Sequence, residues 1–196
     1  MIDQNLQKYF YIVTCLYILI FILSIISAPT LGNSYGVISP EKLKLNTINN
    51  TVESSLLSLL PRNILISMLI ILTGLLGYKL IPLSILAYNA YDFGQIIAAI
   101  NKPDTINMIY VYFPHAMIEI PAIILCTAFA CNFAITMRGR FGGMINILKS
   151  KENINPILIK YLIKPYFYYV FPLIILGCII ESTISLYIMK LIFNGG

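Results

Sequence analysis

Charge is what this chain has least of: only 11% of its 196 residues are Asp, Glu, Lys or Arg. A soluble domain of that length needs more charge to cover its surface. Histidine occurs once, at His115. The two-histidine helix of the zincin metalloproteases is therefore excluded. No nucleotide-binding glycine loop occurs, so any use of ATP must come from another chain. No basic stripe alternates with aromatic residues, so the net charge of +5 does not indicate nucleic acid. Cys15, Cys126, Cys131 and Cys178 are not spaced as metal ligands. They read as small packing residues. No internal repeat is evident, which weakens any reading as a transport pathway.

What the chain has in abundance is apolar length. Hydrophobic residues make up 59% of it, and its mean hydropathy is +0.85. Phe10 to Ala28 is a run of 19 residues without one charge, and a membrane span needs about 20. The expected fold is an all-α integral membrane bundle of about five transmembrane helices, with short amphipathic surface helices in the loops. The spans are predicted at about 10–28, 63–80, 82–100, 110–137 and 166–192, within a single domain covering 1–196. Ile26-Ser27-Ala28-Pro29 faintly resembles a signal-peptidase site, but the apolar core before it suits an uncleaved anchor.

A polar segment, 29–62, separates the first two spans. In it Ser39-Pro40-Glu41 reads as a helix start, and Val52, Leu56, Leu57, Leu59 and Leu60 as a short surface helix. The Tyr78-Lys79 turn makes spans two and three an antiparallel hairpin. Lys102-Pro103-Asp104 marks the next turn, and a basic loop, 138–165, follows span four with a short helix expected near Met144 to Lys149. Placing the N-terminus inside puts Lys8, Lys79, Arg138, Arg140, Lys149, Lys151, Lys160 and Lys164 in the cytoplasm. Lys42, Lys44, Arg62, Lys102 and Lys190 are then left outside. The expected location is the cytoplasmic membrane, N-terminus inside and C-terminus outside.

Three acidic residues, Asp92, Glu119 and Glu181, fall within predicted spans. An ionised carboxylate at mid-bilayer costs about 2.5–3.5 kcal/mol even on lenient scales, so each must face a bundle interior or a wet cavity. His115 and Glu119 stand one helical turn apart, and Ala122 and Cys126 continue their face. Ser84, Tyr88, Asp92 and Gln95 form a stripe on span three with Asn89 beside it, and Gly177, Glu181 and Ser185 form one on span five. The economical arrangement turns these stripes toward a common centre. His115, Glu119, Asp92, Asn89 and Glu181 are thus the candidate intramembrane polar site. Gly74, Gly77, Gly94 and Gly177 are candidate helix-packing positions.

Three roles stay open for this polar set. It can simply fix helix register. It can bind a metal, although one histidine with three carboxylates suits a harder or looser site than zinc prefers. A His115/Glu119 acid–base pair is chemically conceivable, yet no nucleophile signature accompanies it. The reading assigns no catalytic residue, metal or cofactor and leans against an enzyme.

The order of motifs carries a resemblance. Asn63 opens span two, with Gly74 and Gly77 after it, then Asn89 to Gly94, then the run from Pro114 through His115 and Glu119 to Pro121-Ala122, and finally Glu181. This resembles the stage II sporulation protein M family of small bacterial and archaeal membrane proteins, from about Asn63 to Met189. Ala90 and Ala116 stand where the family usually has glycine. The resemblance implies a multi-spanning protein without established enzymatic activity, acting in spore formers as an organising component beside peptidoglycan-remodelling enzymes. It also implies partners among membrane or envelope proteins, a transporter ATPase included; self-association stays open, and no nucleic-acid partner is expected from the composition. A second implied role is a catalytic or transport-assisting component of a circular-bacteriocin maturation and export system, with His115 and Glu119 as working residues.

Overall fold

Each element described by the computed structural model is helical. The described residues are 4–28, 52–100, 108–141 and 158–185, with 187, 188 and 191. Five helices cover them: α1 (Gln4–Ser27), α2 (Val52–Leu75), α3 (Leu80–Ile100), α4 (Met108–Phe141) and α5 (Ile159–Ile184). No strand occurs among the described residues. By length and composition, α1, the Ala116–Gly139 stretch of α4 and α5 could each cross a membrane, and the Leu60–Leu75 stretch of α2 is a shorter apolar helix. Three helices thus meet the full criterion where five spans were expected.

Local chemistry explains most of the boundaries. α1 contains neither proline nor glycine and stops just before Pro29, which disfavours helical geometry in the residue before it. α2 begins at Val52 and passes through Pro61. The stretch expected as a separate surface helix is therefore continuous with the one predicted from 63, because a proline removes one intrahelical bond without ending a helix held on both sides. At its other end α2 stops at Leu75, earlier than expected. Leu76 and Gly77 donate back three residues, to the carbonyls of Thr73 and Gly74, and Gly77 takes a φ of 76°. Gly77 is therefore a helix terminator and not a packing glycine: a Cβ added there would meet nothing within 4 Å. The Ser39-Pro40-Glu41 start, the turn at Lys102 to Asp104 and the Met144 to Lys149 helix lie outside the described residues.

α4 is the hub and packs against all four other helices. Its buried Ala122, Cys126, Ala128, Ala130, Cys131 and Ala134 give it a slim profile that lets neighbours come close. A Cβ built on Gly74 of α2 would lie 2.9 Å from both the Cβ and the carbonyl oxygen of Ala130. On the other side, Gly94 of α3 sits against α1, where a Cβ would lie 2.7 Å from Ser24 Cβ and 2.8 Å from the Phe21 carbonyl oxygen. The Phe21 and Phe93 rings stack beside that contact, 5.5 Å apart. Gln95 Nε2 donates to the Ser24 carbonyl at 3.0 Å, and Ser24 Oγ donates to the Tyr91 carbonyl at 2.7 Å.

The two ends of the bundle differ. At one end Phe133, Met137 and Leu162 pack with Leu75 and Leu158, and Cys131 Sγ reaches the Lys79 carbonyl. This end gathers the start of α1, the α2–α3 turn, the end of α4 and the start of α5, and with them Lys8, Lys79, Arg138, Lys160 and Lys164. The opposite end gathers the end of α1, Arg62 of α2, the end of α3, the start of α4 and the end of α5.

α5 departs from regular geometry. It is π-helical at Ile159–Ile163, Tyr166–Val170 and Glu181–Ser185, with an α-helical stretch, Phe171–Ile180, between the last two. Such wide turns are rare in runs and recur where a side chain must be re-aimed. The last of them opens at Glu181.

Candidate functional site

Toward the Arg62 end of the bundle, all five helices enclose one cavity of about 170 Å³. α1 supplies Tyr17; α2 supplies Arg62, Asn63 and Ile66; α3 supplies Asn89, Asp92, Phe93 and Ile96. α4 adds Ala116, Glu119 and Ile120, and α5 adds Glu181. Three carboxyl groups from three helices therefore share a wall. Each of these acidic residues is half-buried, a position that carboxylates occupy only with partners or water to serve them.

The chain reaches this geometry by local means. On α3, Asn89, Asp92, Phe93 and Ile96 recur at three- and four-residue steps and so share one face. Glu119 precedes Pro121 on α4, and Ala116 one turn earlier leaves room beside it. Glu181 enters at the onset of the final π turn of α5. A Cβ built on Gly177, one turn before it, would lie at ordinary contact distance from α4, 3.9 Å from Ile118 Cγ2.

Arg62 is the only cation among the described residues of the wall. It shares that wall with Asp92, Glu119 and Glu181. Arg62 is itself exposed, so it stands at the cavity mouth and keeps part of its hydration. Deeper in, the Tyr17 side chain is 3% exposed, and its hydroxyl has no hydrogen-bond partner among the described residues. Buried hydroxyls are rarely left so.

Of the expected site residues, the structure brings Asn89, Asp92, Glu119 and Glu181 to the cavity. His115 lies on α4 one turn before Glu119, and its side chain is outside the described residues. The expected α3 stripe divides. Ser84 is exposed and bonds back to the Leu80 carbonyl, Tyr88 points outward at 67% exposure, and Gln95 turns to Ser24 on α1. Among the described residues, no three His, Cys, Asp or Glu side chains converge closely enough to hold a metal ion.

Three polar members of the wall are absent from the candidate site read from sequence. Tyr17 is hidden in an apolar run, and the distribution of basic residues puts Arg62 in an outside loop. Asn63 was noticed only as the start of a span. It donates to Cys178 Sγ at 3.6 Å and so ties α2 to α5 beside the cavity. The adjacent Arg62-Asn63 pair is the available signal, since a polar pair at the edge of an apolar run needs somewhere polar to point. Below the cavity, Ser67 Oγ donates to the Ile64 carbonyl, which leaves Tyr166 Oη to donate to Ser67 at 2.9 Å. Cys126 Sγ closes that network on the Ser67 carbonyl at 3.3 Å. Cys126, Cys131 and Cys178 are buried, whereas Cys15 is exposed.

Comparison with curated proteins and with solved structures finds no match. The family model described as Stage II sporulation protein M matches residues 10–186. The match starts well before Asn63, where the resemblance was expected to begin, and so takes in α1 and the Tyr17 it contributes to the cavity. Spanning nearly the whole chain and every helix that lines the cavity, it establishes that the chain belongs to the stage II sporulation protein M family.

Proposed function

We propose that this protein is a non-enzymatic, five-span subunit of the cytoplasmic membrane that organises partner proteins there. Its N-terminus is inside and its C-terminus outside. The membrane reading is supported by how the apolar helices are distributed. α1 is the most apolar of the three long candidates, yet only 17% of its span window is buried, against 72% for the hub helix α4. Leu19, Leu23 and Ile26 are each more than half exposed. A water-soluble fold hides its most apolar helix, whereas a bilayer solvates it and leaves close packing to small residues.

The orientation is tested with single cysteines in a background without the native four. Lys151→Cys should be protected from an impermeant maleimide in intact cells, and Asn46→Cys should be labelled. The reverse pattern rules out the orientation, and equal labelling of both in whole cells rules out the membrane reading.

The organising role is supported by the cavity, a chamber of mixed polar and apolar lining to which every helix contributes. Its test is crosslinking and quantitative mass spectrometry of complexes drawn from the native membrane in mild detergent. The wild type should hold a stoichiometric envelope partner. Glu119→Gln/Glu181→Gln should lose it while remaining in the membrane at normal abundance. A purified chain that turns over a peptide substrate alone in vesicles, and loses that turnover on the same substitutions, refutes the role.

A further inference from the structure

Charge divides this bundle along its length. Lys8, Lys79, Arg138, Lys160 and Lys164 are all exposed, at the end that holds the α2–α3 turn. Helices α1 and α3 run parallel and meet at Ser24 and Gly94. Lys8 precedes Ser24 by as many residues as Tyr78 precedes Gly94, so it lies level with the turn. Cys131 Sγ on the Lys79 carbonyl holds that turn against α4. Met137, in one cluster with Leu162, brings the end of α4 to the start of α5, and Arg138, Lys160 and Lys164 therefore share a corner. The acidic members of the described residues, Glu53, Asp92, Glu119 and Glu181, all belong to the opposite half. Among the described residues, then, nothing neutralises the five cations.

The surface bordering these cations follows one pattern on three elements. Tyr11 follows Lys8 by one turn of α1, Tyr78 adjoins Lys79, and Tyr168 follows Lys164 by one turn of α5. Each of these three rings is more than half exposed. Lys160 Nζ stands 5.2 Å over the Tyr161 ring. Farther toward the middle of the bundle the outer surface turns aliphatic, with Leu19 on α1 and Leu176 on α5 exposed. Cation, tyrosine, then aliphatic side chain is the order in which a phospholipid leaflet presents phosphate, ester and acyl chain. A soluble anion or an acidic peptide would match the cations but not the exposed rings and aliphatic surface beside them.

We propose that the basic end of the bundle binds acidic phospholipid, with Arg138, Lys160 and Lys164 as the principal headgroup contacts. A guanidinium grips a phosphate through two parallel N–H donors, and each lysine adds a point charge with three donors. The lysine stems lie along the apolar outer surface and carry their ammonium groups to the phosphates. Tyr168 stands at the ester level, and the acyl chains continue along Leu176. An acidic headgroup is favoured over a zwitterionic one, whose own cation would face five uncompensated positive charges. The proposal rests on the membrane reading above.

The test uses the full chain purified in maltoside detergent, with thermal unfolding followed as phosphatidylglycerol or phosphatidylcholine is added to the micelles. Phosphatidylglycerol should raise the midpoint saturably and phosphatidylcholine should not, because a ligand bound to the folded state stabilises it by mass action. Potassium chloride at about 0.5 M should erase most of the preference, since exposed charges are screened. Arg138→Gln/Lys160→Gln/Lys164→Gln should leave the lipid-free midpoint nearly unchanged, as these side chains are exposed. Its apparent affinity for phosphatidylglycerol should fall roughly a hundredfold, at about fivefold for each cation removed. The three single substitutions, each with its fivefold loss, carry the test if the triple variant does not fold. Lys160→Arg/Lys164→Arg keeps the charge and should keep the affinity. Equal shifts with the two lipids, or a phosphatidylglycerol shift that the substitutions leave intact, overturn the proposal. A polyglutamate peptide that raises the midpoint as phosphatidylglycerol does would assign the surface to an acidic protein partner and overturn it as well. The membrane reading is tested apart, by alkaline carbonate extraction after reconstitution into phosphatidylcholine vesicles. A chain that resists extraction and shows no lipid preference overturns this proposal alone; one that carbonate strips away overturns the membrane reading, and this proposal with it.

Discussion

Gly94→Leu should detach α1 from α3 and give the largest loss of stability of any single substitution in the bundle. A Cβ alone at this position would meet the Phe21 carbonyl oxygen at 2.8 Å and Ser24 Cβ at 2.7 Å. Backbone oxygen cannot rotate away as a side-chain end can, so α1 must move. Overpacking costs about 1–3 kcal/mol in cores that can adjust, and leucine here should reach or pass the top of that range. Displacing α1 also takes away the Ser24 acceptor of Gln95 and the stacking of Phe21 on Phe93. Gly94→Ala should cost less but keep the same sign, and Gly74→Ala should behave likewise against Ala130. Gly177→Ala is the control with the opposite sign. Its Cβ finds ordinary contacts at 3.9 Å, and alanine is favoured over glycine in helices by up to about 1 kcal/mol. Unfolding of the four variants in mixed micelles gives the order; a Gly94→Leu protein as stable as the wild type would contradict the α1–α3 contact.

Arg62→Gln should destabilise the protein, and a second substitution, Glu119→Gln, should restore part of the loss. With the guanidinium gone, three carboxyl groups face one another with no cation in the described wall. Breaking a fully buried ion pair costs about 3–5 kcal/mol because the remaining charge is stranded. Arg62 is exposed, so the expected loss is smaller, about 0.2–1 kcal/mol. Neutralising Glu119 removes one of the stranded charges, and the two substitutions should therefore be non-additive, with the double more stable than Arg62→Gln alone. Equilibrium unfolding of wild type, both singles and the double forms the cycle. Strict additivity would show that Arg62 and Glu119 do not act on each other in the folded protein.

Gly94 and Arg62 differ in how far the sequence reveals them. The glycine at 94 could be singled out from sequence as a packing position, because a small residue in a long apolar helix has few other uses. The same reasoning points to Gly77, which instead ends α2, since composition cannot tell a close approach from a left-handed turn. Arg62 was assigned to a loop because the count of basic residues treats a charge near an apolar run as a boundary. Only the continuity of α2 through Pro61 placed it on a helix facing Glu119 and Glu181.

Already legible in the sequence are the helical character of the described residues, roughly where those helices fall, and the need of Asp92, Glu119 and Glu181 for a shared polar surrounding. All three conclusions follow from local quantities: apolar run length, the 3.6-residue period, and the cost of an isolated carboxylate among apolar neighbours. Periodicity fixes how residues are arranged around their own helix axis but not which neighbour that face meets. In a chain so apolar on every side, one helical face differs little from another. The tertiary structure alone therefore decided that α4 is the hub, that Ser84 and Tyr88 turn outward while Asn89 and Asp92 turn in, and that Gln95 pairs with α1. It also decided that Tyr17, Arg62 and Asn63, from two helices distant in sequence from the rest, complete the chamber. Close approach at Gly74 and Gly94 selects those neighbours, because helix pairs that can come nearest gain the most packing.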